Sequence, residues 1–217
     1  MEDYLSKTFP NLSIQSPLFY TWPIGIRFEI GSTKIPLWKD SDKTIINEKY
    51  FIEAYLRAKN IFESAFQNGD EIIVLYQMFS KGKQKIKKKL YLFEQIKDIK
   101  NKKIIYTDER NVYYDDSDGP VPKSYCWKRV QIELQTKDIN YKNILNAQIN
   151  TDFGSRGRRL RGECYFINKT KNIIIHLYDD RGMDIIASDK KELVDLYTKY
   201  NEWILDYDRK EIDLIFK

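Results

Sequence analysis

Two short apolar runs joined by a charged turn constrain this chain more than any other feature. Ile173-Ile-Ile-His176-Leu177 leads into Tyr178-Asp179-Asp180-Arg181-Gly182, and Met183-Asp184-Ile-Ile-Ala187 leads out. Apolar runs of this length are too short for a helix of their own and read as buried strands. Upstream, Glu163–Asn168 has the same character and is joined to the first run by Asn168-Lys-Thr-Lys171, so a hairpin and a third strand are expected. Asp189-Lys-Lys-Glu192 has the spacing of a capping box, which predicts a helix over 190–205 that buries Leu193, Leu196, Tyr197, Tyr200, Trp203 and Ile204. The residues after it, Asp206-Tyr207-Asp208-Arg209, return a second Asp/Arg cluster toward the first.

The rest of the chain supplies further elements. Pro10, Pro17 and Pro23 exclude a continuous helix over residues 1–23 and predict an extended arm whose aromatics pack on the body. Ile26–Ile30 alternates apolar with polar, as a half-buried strand does. From Asn47 to Phe66 the apolar residues fall at three-and-four spacing, with Asn47 placed to cap a helix. Glu71–Phe79 is a continuous apolar run suited to a central strand, and Ile104–Tyr114 and Trp127–Leu134 read as further strands. A shorter helix is expected over 140–152. The expected class is α+β, a largely antiparallel sheet flanked by helices. Two lobes are expected, an N-terminal lobe (1–120) and a C-terminal lobe (121–217), joined near residues 115–125.

Composition narrows the function classes. The 42% of hydrophobic residues gives ample core for 217 residues, so disorder is excluded. No apolar run approaches the roughly 18 residues that cross a bilayer, and the N-terminus lacks the basic-then-apolar order of a signal peptide. A cytoplasmic protein with no membrane contact is expected, in which Cys126 and Cys164 stay thiols. The net charge of +5 is modest, but it is concentrated in Lys81–Lys89 and in Arg156-Gly-Arg158-Arg159-Leu-Arg161.

Most catalytic motifs fail. With one histidine, His176, paired-histidine zinc sites and two-histidine ribonuclease chemistry are excluded, and its place in an apolar run reads as a satisfied core residue. No Gly-x-x-x-x-Gly-Lys or Gly-x-Gly-x-x-Gly appears, so no cofactor is expected. Asp115, Asp116 and Asp118 lack the closing glutamate of a calcium loop, with Pro120 and Pro122 in its place, and no metal is expected there. The Glu-x-Lys spacing of metal-dependent nucleases is absent from the hairpin, although Glu163 with Asp179, Asp180 and Asp184 could be improvised into such a site.

Two charged clusters remain as binding candidates. Arg156, Arg158, Arg159 and Arg161, flanked by glycines, suit phosphate or an acidic protein, because guanidinium engages either with two hydrogen bonds. Tyr178, Asp179, Asp180 and Arg181, with Asp206, Asp208 and Arg209, read as a reciprocal ion-pair network. In that network Arg181 would meet a carboxylate of the returning segment and dock the last helix, while Gly182 would permit a left-handed turn. An exposed binding role for these residues is the alternative.

Tyr178-Asp-Asp-Arg181-Gly-Met-Asp184-Ile-Ile-Ala187, followed by Leu193-x-x-Leu196-Tyr197-x-x-Tyr200-Asn201-x-Trp203-Ile-Leu-Asp206-Tyr-Asp208-Arg209, resembles a small bacterial domain of unknown function found at protein C-termini. Trp22–Glu29 is similar to the N-terminal part of such proteins. The resemblance implies a shape and brings no activity. The function expected from these readings is a non-catalytic binding protein with a protein partner, of the immunity or toxin-neutralising kind. A nucleic-acid binder or metal-dependent nuclease, using the arginine loop and the Asp179/Asp180 turn, is the alternative.

Overall fold

The computed structural model describes residues 1–82, 84–87, 89–109 and 125–217; the acidic turn at 115–119 lies outside them. Seven strands form one sheet: β1 (Gly25–Glu29), β2 (Glu71–Ser80), β3 (Lys103–Glu109), β4 (Cys126–Gln135), β5 (Glu163–Asn168), β6 (Ile173–Leu177) and β7 (Gly182–Ala187). Their order is β1-β7-β6-β5-β2-β4-β3, with every pairing antiparallel. The fold is α+β. A cut at residue 120 would separate β2 from both of its neighbours, β4 and β5.

Helices α1 (Glu2–Thr8), α2 (Glu48–Ala65), α3 (Tyr91–Glu94), α4 (Tyr141–Ile149), α5 (Val194–Lys199) and α6 (Arg209–Phe216) complete the described elements, with short 3-10 turns between them. The side chain of Asn47 accepts from the Lys49 amide at 3.3 Å and caps α2 as its sequence predicts. That helix lays Phe51, Ala54, Ala58, Ile61 and Phe62 on one face of the sheet, beside Ile144 and Leu145 of α4. Phe62 stacks on Phe66 and Tyr141 and meets Phe166 of β5 edge-on. Truncating a fully buried ring such as Phe62 to alanine costs about 3–5 kcal/mol.

The opposite face is covered by the N-terminal arm. Leu5, Phe9, Ile14 and Leu18 close over Ile73, Leu75, Tyr165, Ile167, Ile174 and Ile186. Strands β2, β5, β6 and β7 are therefore apolar on both faces, which is why they read as continuous apolar runs while β1 alternates. The arm is also pinned by polar contacts. Tyr4 donates to Asn172 at 2.9 Å, and the Trp22 indole donates to the Ala187 carbonyl at 2.7 Å.

The helix predicted over 190–205 is broken. A 3-10 turn at Lys190–Glu192 precedes α5, and a second at Asn201–Trp203 turns the chain so that Ile204 bridges Phe28. The Leu205 amide then donates to the Arg27 carbonyl at 2.8 Å, covering the outer edge of β1. Pairing that exposed edge outweighs continuing the helix. No helix among the described residues is long and apolar enough to cross a membrane.

Candidate functional site: a basic cavity at the end of β2

Antiparallel pairing of β2 with β5 sets Gln77 opposite Glu163, so the end of one strand lies beside the start of the other. Lys81 follows β2 at that end, and Arg156–Arg161 leads into β5 there. The two basic runs of the sequence converge on one cavity of about 560 Å³. Lys85, Lys87, Lys89, Arg159 and Arg161 supply its cations, and Tyr76, Met78, Ile86, Leu90 and Tyr91 supply an apolar floor and walls.

The arginine loop is fastened by its backbone, which leaves side chains available. Asn150 donates to the Arg158 carbonyl at 3.2 Å, Thr151 donates to the Leu160 carbonyl at 3.2 Å, and the Leu160 amide donates to Ala147 at 3.0 Å. The Tyr76 hydroxyl, raised above its usual pKa chiefly by burial, donates to the Arg161 carbonyl. Gly162 has φ +95°, and a Cβ there would lie 2.5 Å from the Gln77 carbonyl, so only glycine lets the loop descend onto β2.

Three of the four predicted arginines stay exposed: Arg158, Arg159 and Arg161. Arg158 lies over the Tyr91 ring at 5.7 Å. Neither these three nor Lys85, Lys87 and Lys89 forms an ion pair with a carboxylate of the described residues. Arg156 is different. It pairs with Glu48 at 2.6 Å, donates to Asn150 and lies 3.7 Å over the Phe51 ring, which ties the loop to α2. The lysine segment was legible as a charge run, but its part in this site was not, because β2–β5 pairing is what brings it to the arginines.

The second predicted cluster is brought together in another way. Arg181 pairs with Asp179 of its own turn, whose carboxylate also accepts the Arg181 amide at 2.8 Å. It does not meet Asp206 or Asp208. Asp180 accepts from the Tyr50 hydroxyl at 2.9 Å; burial is the largest influence on its carboxyl and raises its pKa. Gly182 is not in the left-handed region. It is needed because a Cβ there would overlap the Tyr178 hydroxyl.

Arg27, which sequence reasoning did not single out, is the hub that docks the returning segment. It lies 3.4 Å from Asp184 and 3.3 Å from Asp208, and it donates to the hydroxyls of Tyr178 and Tyr20. Tyr20 in turn donates to Asp208 at 2.7 Å. Burial pushes Tyr178 and Tyr20 up to about 12 and Asp184 up to about 6. Arg209 pairs with Asp206 at 3.2 Å and donates to the carbonyls of Asn201 and Ile204, capping the turn before it. The alternation of β1, with one arginine among apolar residues, was the available signal for Arg27.

His176 is a core residue, as expected, but not a satisfied one. It is fully buried, stacked 4.2 Å from Tyr165, and neither ring nitrogen has a hydrogen-bond partner among the described residues. Burial holds its pKa down to about 3, so it is neutral. Both cysteines are free; Cys164 is buried, and burial pushes its thiol up.

Among the described residues one carboxylate group could offer a metal three ligands: Asp152, Asp179 and Asp180, whose oxygens lie within 4.8 Å of one another. Asp179 is already neutralised by Arg181, and Asp180 is engaged by Tyr50. Glu163 is not part of the group, since its carboxylate accepts from Gln77 and Tyr165, each at 2.6 Å.

Fold and site together define an α+β protein built on one antiparallel sheet, with a basic cavity at the mouth of its central strands. The chain matches the family described as Domain of unknown function (DUF3885) over residues 1–208 and belongs to that family. The resemblance of its C-terminal segment therefore extends over nearly the whole chain. It is similar to the uncharacterised protein YnaE of Bacillus subtilis (strain 168), 28% identical over 218 residues that cover 94% of this chain and 96% of the relative. No solved structure matches.

Proposed function

We propose that this protein is a non-catalytic nucleic-acid-binding protein whose cavity at the end of β2 takes phosphate groups. The observation that carries this reading is the convergence of Lys85, Lys87, Lys89, Arg159 and Arg161 on one cavity, without a paired carboxylate among the described residues. Cations held together without counter-charges repel one another, and a polyanion relieves that repulsion while releasing its own counterions. Among the described residues no carboxylate, histidine or cysteine lines the cavity, which favours binding of an anion. The nuclease variant has less support, because Glu163 is taken by Gln77 and Tyr165 and lies outside the Asp152/Asp179/Asp180 group. No observation favours a toxin-neutralising role over binding of another kind.

The test is binding of a labelled oligonucleotide across a salt series. Affinity should fall linearly on logarithmic axes, and each of Lys87→Ala, Arg159→Ala and Arg161→Ala should lower the slope by about one counterion. An oligonucleotide that fails to bind at about 50 mM salt, or that binds the triple variant as well as the unaltered protein, would sink the reading.

A further inference from the structure

The cations of the cavity account for only part of its lining. Met78, Ile86, Leu90 and the ring of Tyr91 face it as well, each half-buried and each packed on the edge of the main core. Helix α3, anchored by the buried Leu92 and Phe93, holds its first residue, Tyr91, at the cavity wall. Among the described residues the uncharged polar side chains of the lining are Gln84 and two tyrosines, and the Tyr76 hydroxyl is spent on the Arg161 carbonyl. A pocket shaped for phosphate alone surrounds it with donors, as a nest of backbone N–H groups does. Here a phosphate held by Lys87, Arg159 and Arg161 would leave the apolar wall in water.

We infer that the cavity takes one unpaired nucleobase of its ligand against Tyr91, while the phosphates flanking that base meet the cations. This rests on the reading of the cavity as a phosphate site and narrows the ligand to a nucleotide recognised together with its base. A volume of about 560 Å³ lies within the roughly 300–1,000 Å³ of pockets that bury a small organic ligand, and a phosphate group alone does not fill it. A base has a flat apolar face that covers such a wall, and its stacking on an aromatic ring tolerates any sequence. The Arg158 guanidinium lies 5.7 Å over the Tyr91 ring, so positive charge stands beside the ring as well as at the phosphates. In a duplex the base is stacked and paired, and lodging it in a cavity costs the energy of flipping it out.

The experiment compares a labelled 12-nucleotide oligothymidylate with an abasic oligomer of the same length and phosphate count by fluorescence anisotropy, on the unaltered protein and on Tyr91→Ala, Tyr91→Phe and Arg161→Ala. The unaltered protein should prefer the oligothymidylate roughly tenfold, Tyr91→Ala should abolish that preference, and Tyr91→Phe should keep it. Arg161→Ala should weaken both probes alike. The ratio of the two affinities does not depend on the fraction of protein folded, so a destabilised Tyr91→Ala still reports. Equal binding of the two probes, or a preference that survives Tyr91→Ala, would overturn the base pocket and leave the phosphate cavity standing. Decyl phosphate competing better than thymidine monophosphate would overturn it too, by making the occupant an alkyl chain. Failure of both probes to bind the unaltered protein would remove the cavity reading and the base pocket with it.

Discussion

The loop Arg156–Arg161 and the turn Tyr178–Arg181 are the two densest charge clusters of the C-terminal half, and they meet opposite fates. In the turn and its surroundings most charges have a partner nearby. Asp179 takes Arg181, Asp180 takes Tyr50, and Arg27 lies between Asp184 and Asp208. Most of these groups are buried, with Asp184 fully so. In the loop only Arg156 is answered, by Glu48, and the cavity cations beyond it have no carboxylate partner among the described residues. Density of charge therefore does not mark a binding site. A buried charge must be paired to be tolerated at all, whereas an exposed one left unpaired beside like charges has something to gain from a ligand.

The largest effect is expected at Arg27. Arg27→Ala leaves Asp184 and Asp208 without their shared cation, and denaturant unfolding should show a loss of about 3–5 kcal/mol. Below its lowered melting temperature the variant should bind oligonucleotide as before. Loss of binding by the folded variant would mean that the two clusters are not independent.

A pH series sharpens the buried side. His176 is held down to about 3 from 6.5, so as pH falls below 6.5 the unfolded chain takes a proton that the native chain refuses, and stability falls. Asp184 is pushed up to about 6 from 3.8, so its native carboxyl keeps a proton that the unfolded chain releases, and that stability is lost as pH rises through 6. Between about pH 4 and 6 the two effects oppose each other, each at most about 1.4 kcal/mol per pH unit. Asp184→Asn removes one of them. Its unfolding free energy should drop with acidity by about 1 kcal/mol per unit over that window, while the unaltered protein stays flatter. Parallel pH profiles would refute the assignment.

Gly182→Ala tests whether the turn is required by packing. The added Cβ displaces Tyr178 from Arg27, and about 1–3 kcal/mol should be lost in thermal or urea unfolding. Arg181→Ala should cost less, under about 1 kcal/mol, because its side chain is 73% exposed and its pair with Asp179 is local. The smallest effect on stability belongs to Arg159→Ala with Arg161→Ala, within about 0.5 kcal/mol by the same measurement. A large stability loss there would make the loop structural and reverse the comparison.

Much of the frame was legible because its signals are local. The three-and-four spacing of Asn47–Phe66 and its asparagine cap appear as α2, and the apolar runs at 71–79, 163–168, 173–177 and 183–187 appear as strands buried on both faces. The break in the helix expected over 190–205 is not legible, because a capping box and apolar spacing say nothing about an edge strand waiting to be covered. Of the candidate site, the four arginines were legible as a cluster. That Arg156 is spent on Glu48 and Phe51 was not, since Glu48 lies 108 residues away.

Element types, apolar faces, the two basic runs and the Asp/Arg turn all rest on neighbours a few residues apart in the chain, and are legible there. Which charges are paired follows only from the packing of distant segments. β2–β5 pairing set the lysine segment beside the arginine loop, and the β1–β7 register set Arg27 opposite Asp184. Both depend on contacts between distant residues, and the same side chain is a structural tie or an available cation according to whether those contacts bring it a counter-charge.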